Sequence, residues 1–206
     1  ILWQFWMKLA VAILISGSGS NMVQLVKSMD SEHPAFPGVV ISNKSNAKGL
    51  EKARRLGVPT EVINDKFYNN NKLDFEKKLI HTLKTYNIEL ICLAGFMKIL
   101  SKDFINNFKN RILNIHPSLL PKYKGLNTHA RALEANDTIA GCSVHLVTPE
   151  LDGGPVIDQI KVKIEKNETE KSLAAKVLMA EHILYPKVLF NFANKIKKST
   201  EIENSK

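Results

Sequence analysis

Short apolar segments alternate with amphipathic segments over residues 9–115, and this order constrains the fold more than any other feature of the chain. Short apolar runs between turn residues are typical of buried strands, whereas apolar residues spaced three and four apart indicate helices. Strand–helix–strand order predicts an α/β protein with a mostly parallel twisted sheet, right-handed crossovers and helices on both faces. The predicted strands are 9–15, 39–41, 60–63, 90–94 and 111–115, and the predicted helices are 21–29, 49–56 and 73–86.

The pattern changes after Asn136. Residues 141–148 and 155–164 predict two strands joined by a turn, so we expect antiparallel strands in the C-terminal part of the sheet. A last helix is predicted over 170–195, kinked or interrupted at Pro186 because proline lacks a backbone donor. The length predicts one domain over residues 1–206, with 1–7 as an extension and 199–206 as a polar tail.

Charge and cysteine content narrow the class of function. The net charge is +9, but the lysines are scattered without interleaved aromatic residues, which disfavours nucleic-acid binding and suits small anionic ligands. Cys92 and Cys142 lie in apolar runs and predict reduced core thiols, which favours a cytoplasmic protein without a disulfide framework or zinc site. Lys8 interrupts the first apolar stretch, which is also too short to span a membrane, so we expect no targeting or membrane segment.

A glycine-rich loop, residues 16–21 (SGSGSN), joins the first predicted strand to the first predicted helix. Glycines allow a tight turn, and the free amides at a helix start favour an anion such as phosphate. Met22 stands where a dinucleotide fingerprint has its third glycine, and there is no Walker lysine, so a dinucleotide or nucleoside triphosphate is disfavoured. A simple tight turn capped by Ser20 fits this motif equally well.

Residues 113–121 (LNIHPSLLP) and 151–155 (LDGGP) carry the clearest indication of chemistry. Side chains alternate along a strand, so Asn114 and His116 share one face. Asp152, in a glycine-rich turn, is a candidate partner for the imidazole. An amide donor, an imidazole and a carboxylate together predict a site for proton transfer and oxyanion stabilisation that needs no metal. Taken singly, the first two suit a satisfied buried polar pair, and Asp152 suits an ordinary turn residue.

Two further segments have a structural interpretation and a functional one. Residues 93–100 (LAGFMKIL) favour ordinary core, and the alternative is a flat apolar slot that binds a heteroaromatic ring. Glu181 and His182 lie in the last predicted helix, where we expect solvated positions.

At these motifs the chain resembles the phosphoribosylglycinamide formyltransferases, the folate-dependent enzymes of purine biosynthesis. The resemblance covers residues 8–195. It implies a Rossmann-like formyltransferase fold and transfer of a formyl group from 10-formyltetrahydrofolate, as cosubstrate, to the amino group of glycinamide ribonucleotide. It rests on six collinear motifs: ISGSGSN (15–21), SNK (42–44), LAGFMKIL (93–100), LNIHPSLLPKYKG (113–125), SVHLVTPELDGGPVI (143–157) and EHILYP (181–186).

The resemblance also implies residue roles. His116 is the proton donor, Asp152 is the carboxylate that favours its charged form, and Asn114 contacts the formyl oxygen. Lys72 and Lys98 stand near or at positions where the family often has arginine, and lysine lacks the planar guanidinium fork. The residues implied to bind glycinamide ribonucleotide are Gly19, Ser20, Asn21 and Glu181. The residues implied to bind folate are Lys72, Met97, Lys98, Ile99, Leu100 and Asn114.

Alternatives remain within and outside this chemistry. Methionyl-tRNA formyltransferases share the HPSLLP region, but they carry a further C-terminal domain, which we do not expect after the last helix here. Formyltetrahydrofolate deformylases usually have a second histidine where Pro117 stands. A phosphate-binding module without chemistry is disfavoured by the presence of Asn114, His116 and Asp152. The expected partners are therefore small molecules rather than nucleic acid or membrane, in a monomer or homodimer without a metal.

Overall fold

The computed structural model describes residues 8–68 and 71–204, and the chain divides into two compact units. The first unit contains the residues up to Leu100 and those from Leu189 onward, and the second contains Ser101–Val188. The predicted extension, residues 1–7, and the last two residues of the predicted tail lie outside the described residues.

Four parallel strands form the sheet of the first unit, in the order β3-β2-β1-β4. All seven residues of the first strand, LAVAILI, are buried, as is typical of a central parallel strand covered on both faces. The parallel arrangement predicted from the sequence is confirmed. The elements are β1 (Leu9–Ile15), α1 (Ser20–Ser28), β2 (Ala35–Ser42), α2 (Lys48–Arg55), β3 (Thr60–Val62), a 3₁₀ turn (Asp65–Tyr68), α3 (Lys72–Thr85) and β4 (Leu90–Leu93).

Three antiparallel strands form the sheet of the second unit, in the order β5-β6-β7. The antiparallel pairing expected after Asn136 is therefore confirmed, and the register places Asn114 opposite His145 and His116 opposite Ser143. The elements are α4 (Lys102–Asn107), β5 (Ile112–His116), α5 (Thr128–Glu134), β6 (Ile139–Leu146), β7 (Val156–Lys163) and α6 (Glu170–Asn204), of which the part to Val188 belongs to this unit.

The last helix differs most from its prediction. It continues to Asn204 instead of ending at 195, because no glycine or proline follows Pro186 to stop it. It is not interrupted at Pro186 either: Tyr185 and Val188 beside it are buried, and the Tyr185 hydroxyl donates to the Leu113 carbonyl at 3.1 Å. Packing therefore outweighs the missing backbone hydrogen bond.

Smaller differences concern short or irregular elements. The strand β2 begins at Ala35 rather than residue 39, although Pro37 and Gly38 look like strand breakers in sequence. A register shift between Val11 and Ala12 accommodates them. Helices α4 and α5 were not predicted, because a six- or seven-residue helix shows too few turns of periodicity.

Both cysteines are buried thiols, as predicted, and no disulfide joins them. Burial, with a contribution from the charge of Glu181, raises the pKa of the Cys142 thiol to about 12. This thiol is therefore inert at neutral pH. Among the described residues, no helix has the length and apolar character needed to cross a membrane.

Candidate active site

The structure brings His116 and Asp152 together at the end of β5. His116 is 6% exposed, and its Nδ1 lies 3.5 Å from Asp152 Oδ2. Its Nε2 lies 2.9 Å from the carbonyl oxygen of Tyr123. Because a carbonyl can only accept, Nε2 carries a proton. The ring therefore has a backbone acceptor on one side and a carboxylate on the other.

Asp152 is held by contacts on both of its carboxylate oxygens. Oδ2 accepts from the Gly125 amide at 2.9 Å, and Oδ1 lies 3.6 Å from Nε2 of His145. Burial alone would raise the pKa of Asp152, but its interactions with His145, the Gly125 amide and His116 outweigh burial and lower it. Asp152 is therefore an anion at neutral pH.

The turn that carries Asp152 depends on glycine. Asp152 itself has φ +48°, a left-handed conformation that aspartate tolerates better than most residues. A Cβ on Gly154 would lie 1.8 Å from the Leu146 carbonyl oxygen, so no other residue fits there without moving the backbone. The glycines of the LDGGP motif thus have a steric role in placing the carboxylate.

His145 belongs to this site and was missed in the sequence. Its Nδ1 lies 2.9 Å from the Leu146 carbonyl oxygen and donates to it, and its Nε2 is hydrogen-bonded to Asn114 Nδ2 at 3.1 Å. This bond turns the amide nitrogen of Asn114 toward His145 and leaves its second N–H for another acceptor. The signal was present in the SVHLV stretch, but it required the register between β5 and β6.

The side chains of Asn114, His116, His145 and Asp152 form one connected cluster. Asn114, which is half-buried, offers an N–H, and His116 lies beside an anionic Asp152. Donors held in a partly buried site stabilise charge that develops on a substrate oxygen. Among the residues that the structure describes, no group of three or more histidine, cysteine, aspartate or glutamate side chains is arranged to hold a metal ion.

In the first unit, the glycine-rich loop has the geometry of an anion site. Gly19 is the N-cap of α1, with φ +69°, and no side chain caps the helix, so the predicted Ser20 cap is wrong. A Cβ on Gly19 would lie 2.8 Å from Gly49 Cα and 3.0 Å from Met22 Cε. Because Gly19 has no side chain to cap the helix, the backbone amides at the start of α1 can bind an anion.

Ser16 connects this loop to the segment after β4. Its hydroxyl donates to Asn43 Oδ1 at 2.6 Å and accepts from the Met97 amide at 2.8 Å. The Ser16 amide donates to the Gly95 carbonyl oxygen at 3.1 Å. Neither the serine nor Asn43 was predicted as a site residue, although both lie in the quoted motifs.

The apolar segment after β4 is not ordinary core. Met97 is 63% exposed and Ile99 is 65% exposed, so the core interpretation is wrong for these two side chains, whereas Leu100 is buried. The segment follows the end of its strand without regular structure, so its apolar side chains are not all drawn inward. Lys98 is half-buried, and Lys72, the first residue of α3, is exposed.

Glu181 is 6% exposed, so the prediction of a solvated position is wrong. It lies on the same helical stripe as the buried residues Val177 and Leu184, which are four and three positions away. His182 is half-buried, and burial lowers its pKa. Helical spacing alone could have placed Glu181 on the inner face of α6.

Comparison with known families assigns most of the chain. The formyl transferase family model matches residues 9–189. The chain is 43% identical to phosphoribosylglycinamide formyltransferase of Escherichia coli (strain K12) over 185 residues, which covers 89% of this chain and 87% of that protein.

A longer relative and a solved structure give the same result. The trifunctional purine biosynthetic protein adenosine-3 of Homo sapiens is 44% identical over 183 residues, which is 88% of this chain but only 18% of that protein. The chain thus spans about a fifth of such trifunctional relatives. The crystal structure of phosphoribosylglycinamide formyltransferase from Brucella melitensis is similar, with a TM-score of 0.87, 45% identity and coverage of 90% of this chain and 96% of that one.

Proposed function

The chain belongs to the formyl transferase family, and from this premise we propose that it transfers a formyl group from 10-formyltetrahydrofolate to glycinamide ribonucleotide. The products are formylglycinamide ribonucleotide and tetrahydrofolate, in purine biosynthesis. The names of relatives that match this chain over most of their own length support this activity. The single observation that carries it is the contact of His116 with Asp152, beside the amide of Asn114.

The reaction needs a group that stabilises negative charge and moves a proton. The substrate amine attacks the formyl carbon, a C–N bond forms, and the electron pair of the carbonyl moves to its oxygen. Asn114 and the His116 imidazolium stabilise that oxygen, a contribution of about 3–4 kcal/mol per donor in other enzymes. The attacking nitrogen then loses a proton and N10 of the folate gains one. The electron pair on the oxygen re-forms the C=O bond as the C–N10 bond breaks and its electron pair leaves with N10. His116 is the group that holds or delivers these protons.

The negative charge of Asp152 is proposed to stabilise the positive charge that the imidazole carries during the reaction. Its lowered pKa means that it remains an anion while His116 loses and regains a proton. The Gly125 amide holds one of its oxygens at 2.9 Å, and the other oxygen lies 3.6 Å from Nε2 of His145.

The glycine-rich loop is proposed to bind the ribosyl phosphate through the amides of Gly19, Ser20 and Asn21. Its support is the uncapped start of α1 and the left-handed Gly19. Glu181 is proposed to bind glycinamide ribonucleotide.

The exposed apolar segment after β4 is proposed to bind the pterin ring of the folate. Its support is the exposure of Met97 and Ile99 and the fixed amide of Met97. Lys98 and Leu100 complete the segment, and Lys72 is proposed to contact the folate through its charge.

The surroundings of the enzyme are also proposals. Two buried cysteines that are not joined in a disulfide support a cytoplasmic protein. Its partners are small anionic substrates rather than nucleic acid or membrane, and the active form is a monomer or homodimer without a metal.

A spectroscopic assay with a 10-formyl folate analogue tests the proposal. Glycinamide ribonucleotide, water and charged initiator tRNA are compared as acceptors at equal enzyme concentration. We expect release of deformylated folate only with the ribonucleotide. Release in water alone would indicate a deformylase, and release with the tRNA would indicate a tRNA formyltransferase; either result contradicts the proposal.

A further inference from the structure

The loop after β5 returns its backbone to both proposed catalytic side chains. The Tyr123 carbonyl accepts from Nε2 of His116 at 2.9 Å, and the Gly125 amide donates to Asp152 Oδ2 at 2.9 Å. The orientation of the imidazole and of the carboxylate therefore depends on where residues 123–125 lie.

Tyr123 does not hold its conformation by itself. Its φ is +55°, a left-handed value that is unfavourable for an aromatic residue. Such a conformation persists only where surrounding contacts over-determine it, and these places cluster at functional sites. Other groups must therefore restrain Tyr123, whose carbonyl orients His116.

Asp137 supplies the main restraint. The Tyr123 hydroxyl donates to Asp137 Oδ2 at 2.7 Å, and Lys122 Nζ lies 2.9 Å and 3.0 Å from the two oxygens of the same carboxylate. The hydrogen bonds from Lys122 and Tyr123 lower the pKa of Asp137, so the carboxylate is an anion that accepts both.

Arg131 adds a second restraint from α5. Its guanidinium lies 5.1 Å from the centre of the Tyr123 ring, a cation–π contact. Its NH1 donates to the Lys124 carbonyl at 2.7 Å and to the Leu126 carbonyl at 3.3 Å. The ring and the backbone on its C-terminal side are therefore held by one side chain.

We propose that Tyr123 and Asp137 are a positioning pair for formyl transfer. The carboxylate holds the phenol, the phenol holds the strained backbone of Tyr123, and the Tyr123 carbonyl holds His116 with Nδ1 directed at Asp152. The inference rests on the proposed function, and neither Tyr123 nor Asp137 is proposed to contact the reacting atoms.

Tyr123→Phe and Asp137→Asn test the pair, since each removes one end of the hydrogen bond and keeps the shape. We expect turnover to fall about tenfold in each variant, because a small displacement of a catalytic group is costly. The KM values for both substrates should stay within about twofold. The double variant should lose no more than either single variant, because the residues act as a unit.

Tyr86→Phe is the matched control. The Tyr86 hydroxyl donates to Glu61 Oε1 at 2.9 Å, so this variant also loses a tyrosine–carboxylate hydrogen bond, but in the first unit. Its turnover should remain that of the parent. An equal loss of turnover in Tyr86→Phe and Tyr123→Phe would overturn the inference.

A second background separates positioning from a merely structural role. If Tyr123 acts through His116, Tyr123→Phe should cost nothing further in a His116→Asn protein, whose residual activity no longer depends on the imidazole. A further loss of about tenfold in that background would mean that Tyr123 supports the fold in general and would overturn the inference.

A readout without catalysis distinguishes this inference from the proposed function. The proton NMR signal of Nε2–H in His116, assigned by its absence from His116→Asn, should lie downfield in the parent, shift upfield in Tyr123→Phe and stay in place in Tyr86→Phe. An unchanged signal in Tyr123→Phe would overturn the positioning role, whatever the activity. A parent protein that does not formylate the ribonucleotide, but shows these shifts, would refute only the proposed function.

Discussion

The glycine-rich loop of the first unit and the β5–β6 region of the second unit differ in the groups that they offer to a ligand. The loop offers backbone amides and works because atoms are missing, since a Cβ on Gly19 would lie 2.8 Å from Gly49 Cα. The β5–β6 region offers largely buried titratable side chains, chiefly His116 and the anionic Asp152. Added atoms should therefore damage binding in the loop, whereas a lost charge should damage chemistry in the second unit.

The largest effect should come from Asp152→Asn. The amide keeps the shape of the carboxylate but no longer favours the imidazolium, so we expect turnover to fall about 10³-fold, and His116→Ala should lose a similar amount. The KM for glycinamide ribonucleotide should change by less than about threefold, because substrate binding is not carried by this charge. Steady-state kinetics of purified variants measure both quantities.

Asp158→Asn is the control for that measurement. Asp158 forms a surface ion pair with Lys187 at 2.9 Å in the same unit, so it removes an equal charge away from the proposed chemistry. Its kinetics should match the parent. Parent-like turnover in Asp152→Asn would contradict the expectation that a lost charge in the second unit damages the chemistry.

The next effect should come from Gly19→Ala, which tests the binding half. The new methyl group meets the backbone of Gly49, and the left-handed φ adds strain, so the loop must shift. We expect the KM for the ribonucleotide to rise about 30-fold, the equivalent of one charge-assisted hydrogen bond. Turnover at saturating substrate should fall less than about threefold, because the loop is proposed to bind the substrate and not to take part in the chemistry.

Gly57→Ala separates strain from crowding. Gly57 has φ +75°, but a Cβ there would meet nothing within 4 Å. This control should lose stability by about 1 kcal/mol and keep the parent KM. If Gly19→Ala lowers turnover and leaves KM unchanged, the loop is not the phosphate site.

A smaller effect is expected for His145→Asn, which tests whether a side chain can act by orientation alone in the second unit. Without the His145 ring, Asn114 loses the partner that directs its amide nitrogen. We expect turnover to fall about tenfold, less than for Asp152→Asn, because the donor is misaligned rather than removed. His81→Asn, at an exposed helix position, is the control. A loss as large as that of Asp152→Asn would mean that His145 takes part in proton transfer directly.

The sequence predicted most reliably what depends on local pattern. The strand β1 was predicted from end to end, because a fully buried strand is apolar at every position. Asn114, His116 and Asp152 were found because alternation and a glycine-rich turn are local signals. His145 was missed because its partner is set by the register of β6 on β5, which is a tertiary property.

Errors of burial had a different cause. Met97 and Ile99 were interpreted as core because hydrophobicity does not distinguish a packed side chain from one that is exposed in a loop. Glu181 was interpreted as solvated because a carboxylate is rarely buried, although its helical stripe is apolar. In both cases the residue type alone predicted the wrong degree of burial, and such exceptions concentrate where a protein binds ligands.

The smallest effect concerns stability in acid, and it compares a buried carboxylate with an exposed one. The pKa of Asp152 is lowered in the folded protein, so its ionised form contributes stability above its ordinary pKa, and that contribution is lost as the pH falls through the folded-state value. Urea unfolding should therefore show the parent losing stability relative to Asp152→Asn between about pH 5 and pH 2.

The pKa of Asp158 is also lowered, chiefly by its hydrogen bond with Lys187, but that pair is solvent-exposed. In about 1 M salt the difference for Asp158→Asn should vanish while that for Asp152→Asn remains, because screening acts mainly on exposed charges. Equal salt sensitivity of the two differences would mean that Asp152 is open to solvent and that its charge cannot act on His116 as strongly as the proposed mechanism requires.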